Sequence, residues 1–285
     1  MNMVNSVLSI LKSPIMKFSV PFIVKISVFW LLLLLCPLEL SKAVAVTLPA
    51  PANSYSLNIE SQHANVAVAS NFIKPMQQLK AQFEANTPHT IRVSYSSSGK
   101  LFAQIINGAP FDVFLSADQV KPDQLIKRGK ASPHGRFTYA QGTLILWSSK
   151  TSLVNHSPDV LYDNKFRKVA LANPKFAPYG QAAVDVLNHL VLLEQTKSKW
   201  VMGESISQTY QFVATGNADI GFISFSQKPE HGSYWLIPED FYKPIKQDAV
   251  LLKNAEKNAA AFAFFQFLKS NEAKNIIQSY HYNVD

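Results

Sequence analysis

The sequence predicts an α/β fold in which strands and helices alternate. Three stretches carry that prediction. Residues 65–69, 91–95 and 111–116 each read as a short apolar or alternating strand. Each runs into small or polar residues, and a helical pattern follows each one. Such repetition belongs to parallel sheets covered by helices. In those sheets ligands sit beyond the carboxyl ends of the strands, where the small polar turns fall.

The chain opens differently. Residues 1–45 read as a secretory signal peptide. Lys12, Lys17 and Lys25 form its basic region, and residues 26–36 an apolar run too short to span a bilayer comfortably. Ala43-Val44-Ala45 places small residues for cleavage near Ala45, and Met16 is an alternative start. An uncleaved anchor is the other reading, because residues 18–24 are largely apolar too. Cys36, the single cysteine, leaves with the leader. The mature chain then has neither disulfide nor thiol chemistry and suits an oxidising compartment. The expected location is the periplasm.

Hydrophobic residues make up 47% of the chain, enough for a sizeable core, and charged residues only 16%. The net charge of +8 falls to +5 without the leader, which holds Lys12, Lys17, Lys25 and Lys42 against Glu39. No Lys/Arg run or basic-aromatic stripe appears, so the sequence carries no nucleic-acid footprint. The mild positive bias favours the approach of small anions.

Residues 46–61, with Pro49, Pro51, Asn53 and Ser54, read as a flexible lead-in. After the strand at 65–69, Ser70-Asn71 caps a helix that buries Phe72, Ile73, Met76, Leu79 and Phe83. Pro75 is tolerated in its first turn. After the strand at 91–95 come Ser96-Ser97-Ser98-Gly99 and a helix burying Leu101, Phe102, Ile105 and Ile106. Hydroxyls and unpaired N–H groups at that helix N-terminus make an anion site. The same residues equally suit an ordinary helix cap. Asn107-Gly108-Ala109-Pro110 is a turn, and Ala117-Asp118-Gln119 starts the helix after the third strand.

A strand at 143–147 marks the first crossing between lobes. Residues 151–165 read as a loop and 168–172 as a strand. Pro174, Pro178 and Gly180 then pin the backbone before a helix of Ala182, Ala183, Val186, Leu187 and Leu190, with Tyr179 at its entrance. Residues 203–207 lead into a helix at 208–214 ended by Gly216, and 218–224 is a buried strand. Residues 235–238 make the second crossing, 249–252 a strand, and 259–268 and 272–280 the closing helices. No internal repeat appears.

Metal and covalent chemistries find little support. The histidines at 63, 89, 134, 156, 189, 231 and 281 are scattered and read as surface residues. Ser97-Ser98-Gly99-Lys100 lacks the upstream glycine and the following Ser/Thr of a P-loop. There is no G-x-S-x-G elbow. Asp112, Asp118 and Asp219 fit turn and cap roles. What stands out is a set of neutral donors at helix entrances: Ser70, Asn71, Ser98, Tyr179 and the backbone at 205–207. Lys100 lies one step inside its helix and is expected to point away. Neutral hydrogen bonds and helix dipoles of this kind suit a desolvated oxyanion.

The chain resembles the periplasmic molybdate-binding proteins of ABC importers, over about residues 65–282. Val68-Ala69-Ser70-Asn71, the stretch from Ser96 to Leu101 and that from Gly108 to Asp118 carry the resemblance. So do Ala172-Asn173-Pro174 with Ala177-Pro178-Tyr179-Gly180, and the stretch from Thr215 to Phe222, all in the same order. It implies a two-lobed type II periplasmic-binding-protein fold with two interdomain crossings and a ligand cleft. Lobe 1 is expected over 62–141 plus 238–285 and lobe 2 over 142–237. It further implies that Ser70, Asn71 and Ser98 bind the anion through hydroxyls, side-chain amide and backbone N–H. Tyr179 and the backbone N–H of Ile206 bind from the second lobe. Some members carry a ligand-binding Tyr at the position of Ser224, so Ser224 is not expected to touch the ligand.

The implied function is capture of molybdate, and of tungstate, for delivery to a membrane permease and its ATPase by a monomer. No catalysis, cofactor or free metal cation is involved; molybdenum enters only as its oxyanion. The alternatives are the same fold serving sulfate, phosphate or an organic anion, and an exported enzyme, for which no nucleophile–base pair is evident.

Overall fold

The structure is a computed structural model that describes residues 62–255 and 257–284. The expected signal peptide (1–45) and lead-in (46–61) lie outside the described residues, as does Cys36. In chain order the elements begin with β1 (His63–Ala69), a 3-10 turn (Ser70–Phe72), α1 (Ile73–Asn86), β2 (Thr90–Ser96), α2 (Ser98–Ile106), β3 (Val113–Leu115), α3 (Val120–Lys127) and β4 (Ala131–Gly142). Then come β5 (Leu144–Ser148), α4 (Asp159–Tyr162), β6 (Val169–Ala172), α5 (Pro178–His189), α6 (Leu193–Lys197), β7 (Trp200–Gly203), α7 (Ile206–Ala214), β8 (Ile220–Ser224) and β9 (Ser233–Leu236). The chain closes with β10 (Ile245–Leu252), α8 (Ala259–Phe267) and α9 (Asn271–Ser279).

These strands form two five-stranded sheets, ordered β2-β1-β3-β10-β4 and β7-β6-β8-β5-β9. In each, four strands run in one direction and one, β10 or β5, runs against them and pairs antiparallel on both sides. The sheets are therefore mixed, where the repeated strand–helix units alone predict parallel ones. Both follow one plan, although the sequence shows no repeat. The chain leaves the first sheet at Gly142 and enters the second at Leu144, with only Thr143 between them. It returns between Leu236 and Ile245. The two passages are tied together where the Leu144 N–H donates to the Tyr242 hydroxyl at 3.2 Å.

Strand β1 shows how the sequence positions the turns. Ala64, Val66 and Val68 pack on one side with Phe72, Met76, Leu79 and Phe83 of the following helical segment and with Phe264 of α8. Ala67 packs on the other side with Leu101, Ile105, Phe114 and Leu125. A strand covered on both faces reads as an unbroken apolar run. Each fully buried Leu or Phe contributes roughly 1.5–3 kcal/mol. The polar residue that ends such a strand is thus held at the sheet edge by the core behind it.

Several expectations change. Strand β4 escapes sequence reading because Pro133, Gly135 and Gly142 interrupt its pattern, and its pairing with β10 carries two register shifts. Short α4, α6 and β7 are likewise illegible, and α3 starts at Val120, beyond Ala117-Asp118-Gln119. His89 is buried, and its Nδ1 accepts from the Gln62 N–H, while the other six histidines are exposed as expected. Among the described residues no helix is long and apolar enough to cross a membrane.

Asp219 anchors the second sheet. One carboxylate oxygen accepts from the N–H groups of Arg167 (2.8 Å) and Lys168 (3.3 Å). The other faces Arg167 Nη2 at 3.2 Å and Lys150 Nζ at 3.3 Å. Burial opposes its ionisation, but these donors outweigh it and hold the pKa at about 2, below the ordinary 3.8. A lowered folded-state pKa means stability that is present above the ordinary value and lost as pH falls through the folded one. Thermal scans should therefore show a melting temperature that drops steeply between about pH 4 and pH 2. Asp219→Asn should lose about 2 kcal/mol at neutral pH and flatten that drop.

Candidate functional site

Four helical N-termini converge on one small pocket. The 3-10 turn at Ser70 follows β1 and α2 follows β2, two parallel neighbours in the first sheet. Helix α5 follows β6 and α7 follows β7, parallel neighbours in the second. The first sheet supplies Ala69, Ser70, Asn71, Ser97, Ser98 and Ala117, and the second supplies Ala177, Pro178, Tyr179 and Ile206. The space they line is small and tight. All five expected residues, Ser70, Asn71, Ser98, Tyr179 and Ile206, line it. Ser97 was not among them, because three adjacent serines give sequence no way to say which face the pocket.

The wall is made of donors. The first N–H groups of a helix have no intrahelical acceptor. Here those of Asn71, Ser98, Tyr179 and Ile206 meet no acceptor among the described residues. The hydroxyls of Ser70 and Ser97 are buried without a partner. The Ser98 hydroxyl accepts from the Ala117 N–H at 2.9 Å, which leaves its own hydrogen to donate. No charged side chain lines the pocket. A buried polar group left unpaired costs about 1–3 kcal/mol, so a cluster of them calls for a missing acceptor.

The cap readings do not hold. Neither the 3-10 turn nor α1 has a side-chain cap bond, so Ser70-Asn71 caps nothing, and Ser97 at the N-cap of α2 makes none either. Asn71 lines the pocket, but its side-chain amide is turned elsewhere, donating to Gln247 Oε1 (2.8 Å) and the Tyr282 hydroxyl (2.9 Å). Of the groups expected from Asn71, only the backbone N–H remains for a ligand. The Tyr179 hydroxyl likewise accepts from Ser224 Oγ (3.0 Å) and Gln247 Nε2 (3.2 Å). Burial, with Tyr282 beside it, pushes that phenol well above its ordinary pKa, so it stays neutral. Ser224 is not in the pocket wall.

These side chains form a buried network between the lobes. Ser224 and Ser226 share a hydrogen bond, and Ser226 and Tyr282 both donate to the Asn71 carbonyl. Tyr139 donates to Gln247 Oε1 at 3.0 Å. Gly142, at the first crossing, backs the network: a Cβ there would stand 1.9 Å from the Tyr179 hydroxyl. Around the rim the Gly99 N–H donates to the Phe176 carbonyl, and Ser207 Oγ to the Ser70 carbonyl, both at 2.9 Å. Lys100 pairs with Glu204 and does not line the pocket. The lobes are thus closed over it.

The other sequence candidates have structural work. Asp112 accepts from the Asn65 N–H at 2.7 Å, and Asp118 from the Lys121 N–H at 2.9 Å. Among the described residues no group of three His, Cys, Asp or Glu could hold a metal ion. A larger groove shares Ala117 and Pro178 with the pocket, but Asp118, Lys121, Asp185, Lys243 and Lys246 line it. It has charges of both signs and none of the buried unpartnered hydroxyls.

Residues 64–283 match the family model of the bacterial extracellular solute-binding proteins. A molybdate-binding protein of Azotobacter vinelandii is 47% identical over 230 residues, which are 79% of this chain and 91% of that protein. One of Rhodobacter capsulatus is 48% identical over 218 residues, 76% of this chain and 86% of that protein. The solved periplasmic molybdate-binding protein of Azotobacter vinelandii aligns with a TM-score of 0.76 at 40% identity, over 78% of this chain and 99% of its own. The two-lobed α/β architecture, the family model and these identities agree: the chain belongs to the bacterial extracellular solute-binding protein family.

Proposed function

We propose that this chain captures molybdate in the interlobe pocket and delivers it to an ABC permease, with no chemistry on the anion. The observation that carries the proposal is the convergence of unpartnered N–H and O–H donors on a pocket without a charged side chain. Relatives of 47 and 48% identity that are named molybdate-binding proteins support the choice of anion. The protein works as a monomer in the periplasm after loss of its leader, and tungstate, with the same shape and charge, is a second ligand.

The N–H groups of Asn71, Ser98, Tyr179 and Ile206 and the hydroxyls of Ser70 and Ser98 hold the oxyanion. Helix dipoles add partial positive charge at each N-terminus. With the lobes apart, water satisfies these donors. A dianion that bridges both walls binds the closed form better, and that differential affinity drives closure. Molybdate, tungstate and sulfate carry no proton near neutral pH. Protonated phosphate needs an acceptor for its O–H, and no carboxylate lines the pocket. Cavity size separates molybdate from sulfate.

Titration calorimetry of the chain that begins after Ala45 should give saturable binding with molybdate and tungstate and none with sulfate or phosphate. Binding to sulfate or phosphate alone would replace the anion and keep the fold. Ser98→Ala should weaken molybdate by about 1–3 kcal/mol; an unchanged affinity would remove Ser98 from the site. Tyr179→Phe breaks the interlobe network but keeps the backbone donor. It should lower molybdate affinity about tenfold and leave the preference over sulfate unchanged. A changed preference would instead place the hydroxyl against the anion.

A further inference from the structure

We infer that Ser97 is a further anion-binding residue, whose hydroxyl donates to the tetrahedral oxyanion from the first lobe. The inference rests on the oxyanion-capture reading and adds a donor to it. Ser97 is the N-cap of α2, with φ −69° and ψ 148°. A serine there ordinarily accepts from the N–H of the second or third helical residue. Ser97 does neither. The first of those two N–H groups, on Gly99, reaches across the lobes to the Phe176 carbonyl instead. Ser97 is 3% exposed, and its buried hydroxyl has no partner.

The second lobe supplies the comparison. Strand β7 occupies in its sheet the place that β2 occupies in the other. The helix after β7 is capped by Ser205, whose hydroxyl accepts from the Gln208 N–H at 3.3 Å. Ser205 does not line the pocket, and Ser97 does. Two serines at matching caps therefore do different jobs. The one at the pocket leaves its hydroxyl unpaired, beside Ser98, whose own hydroxyl is fixed by the Ala117 N–H. A buried hydroxyl held open in this way is completed by a ligand acceptor.

The test uses Ser97→Ala and Ser97→Gly, with molybdate calorimetry and melting of the ligand-free protein. Glycine is nearly as good a cap as serine, so Ser97→Gly removes the hydroxyl with little effect on the helix. Both variants should bind molybdate about ten- to a hundredfold more weakly, the loss of one charge-assisted hydrogen bond. Ligand-free Ser97→Gly should melt close to wild type. Affinity within twofold of wild type in Ser97→Gly would overturn the assignment and leave Ser97 a structural residue. Wild type that takes another tetrahedral anion in place of molybdate moves the same comparison to that anion. Wild type silent with molybdate, tungstate, sulfate and phosphate would overturn the oxyanion reading and the Ser97 assignment with it.

Discussion

A helix cannot satisfy its own first N–H groups, and this protein gathers several such groups in one place. That backbone constraint organises the rest. The unpaired donors of Asn71, Ser98, Tyr179 and Ile206 sit at the ends of strands whose apolar residues fix them from behind. Pro178 opens α5 without needing an acceptor, since it has no N–H. Gly180 lets that helix lie directly on the end of β6, where a Cβ would fall 2.1 Å from the Ala172 carbonyl. The result is a positive, hydrogen-bonding cavity with no formal charge in its wall. A lysine or arginine would hold an anion with less regard to its shape; fixed amides demand that its oxygens meet them.

Closure depends on a division of labour within single residues. Asn71 and Tyr179 present backbone to the pocket and side chain to the network between the lobes. The network is uncharged and buried, and its bonds from Tyr179 and Ser226 to Gln247, Asn71 and Tyr282 are made only when both lobes are in place. The rim adds the Gly99–Phe176 backbone bond and the Lys100–Glu204 pair. The latter is partly exposed and contributes little, because water screens it. Most of the geometry that favours closure therefore lies in neutral hydrogen bonds close to the pocket.

Much of this was legible in the sequence, for physical reasons. Strand–turn–helix units show because a doubly covered strand must be apolar and its exit must be polar, as at Val68–Asn71 and Tyr95–Gly99. The lining positions of Ser70, Asn71, Ser98 and Tyr179 follow from their place at those exits; within 205–207 the family resemblance, not the local pattern, singles out Ile206. The antiparallel strands were harder. In β4, Pro133 and Gly135 break the alternation, and partner strands rather than local pattern decide the pairing. Side-chain direction was harder still. Nothing local says that the amide of Asn71 turns to Gln247, 176 residues away, or that His89 is buried. Ser96, Ser97 and Ser98 look alike in sequence, and only the fold separates their hydroxyls.

The central claim is that a tetrahedral dianion sits between those helix ends and nowhere else. Diffraction at the molybdenum absorption edge, from crystals grown with molybdate, tests it directly. The account predicts one strong anomalous peak in the pocket, with anion oxygens about 2.7–3.2 Å from the N–H groups of Ser98 and Ile206. A peak in the neighbouring groove beside Lys121, Lys243 and Lys246, with the pocket empty, would contradict it.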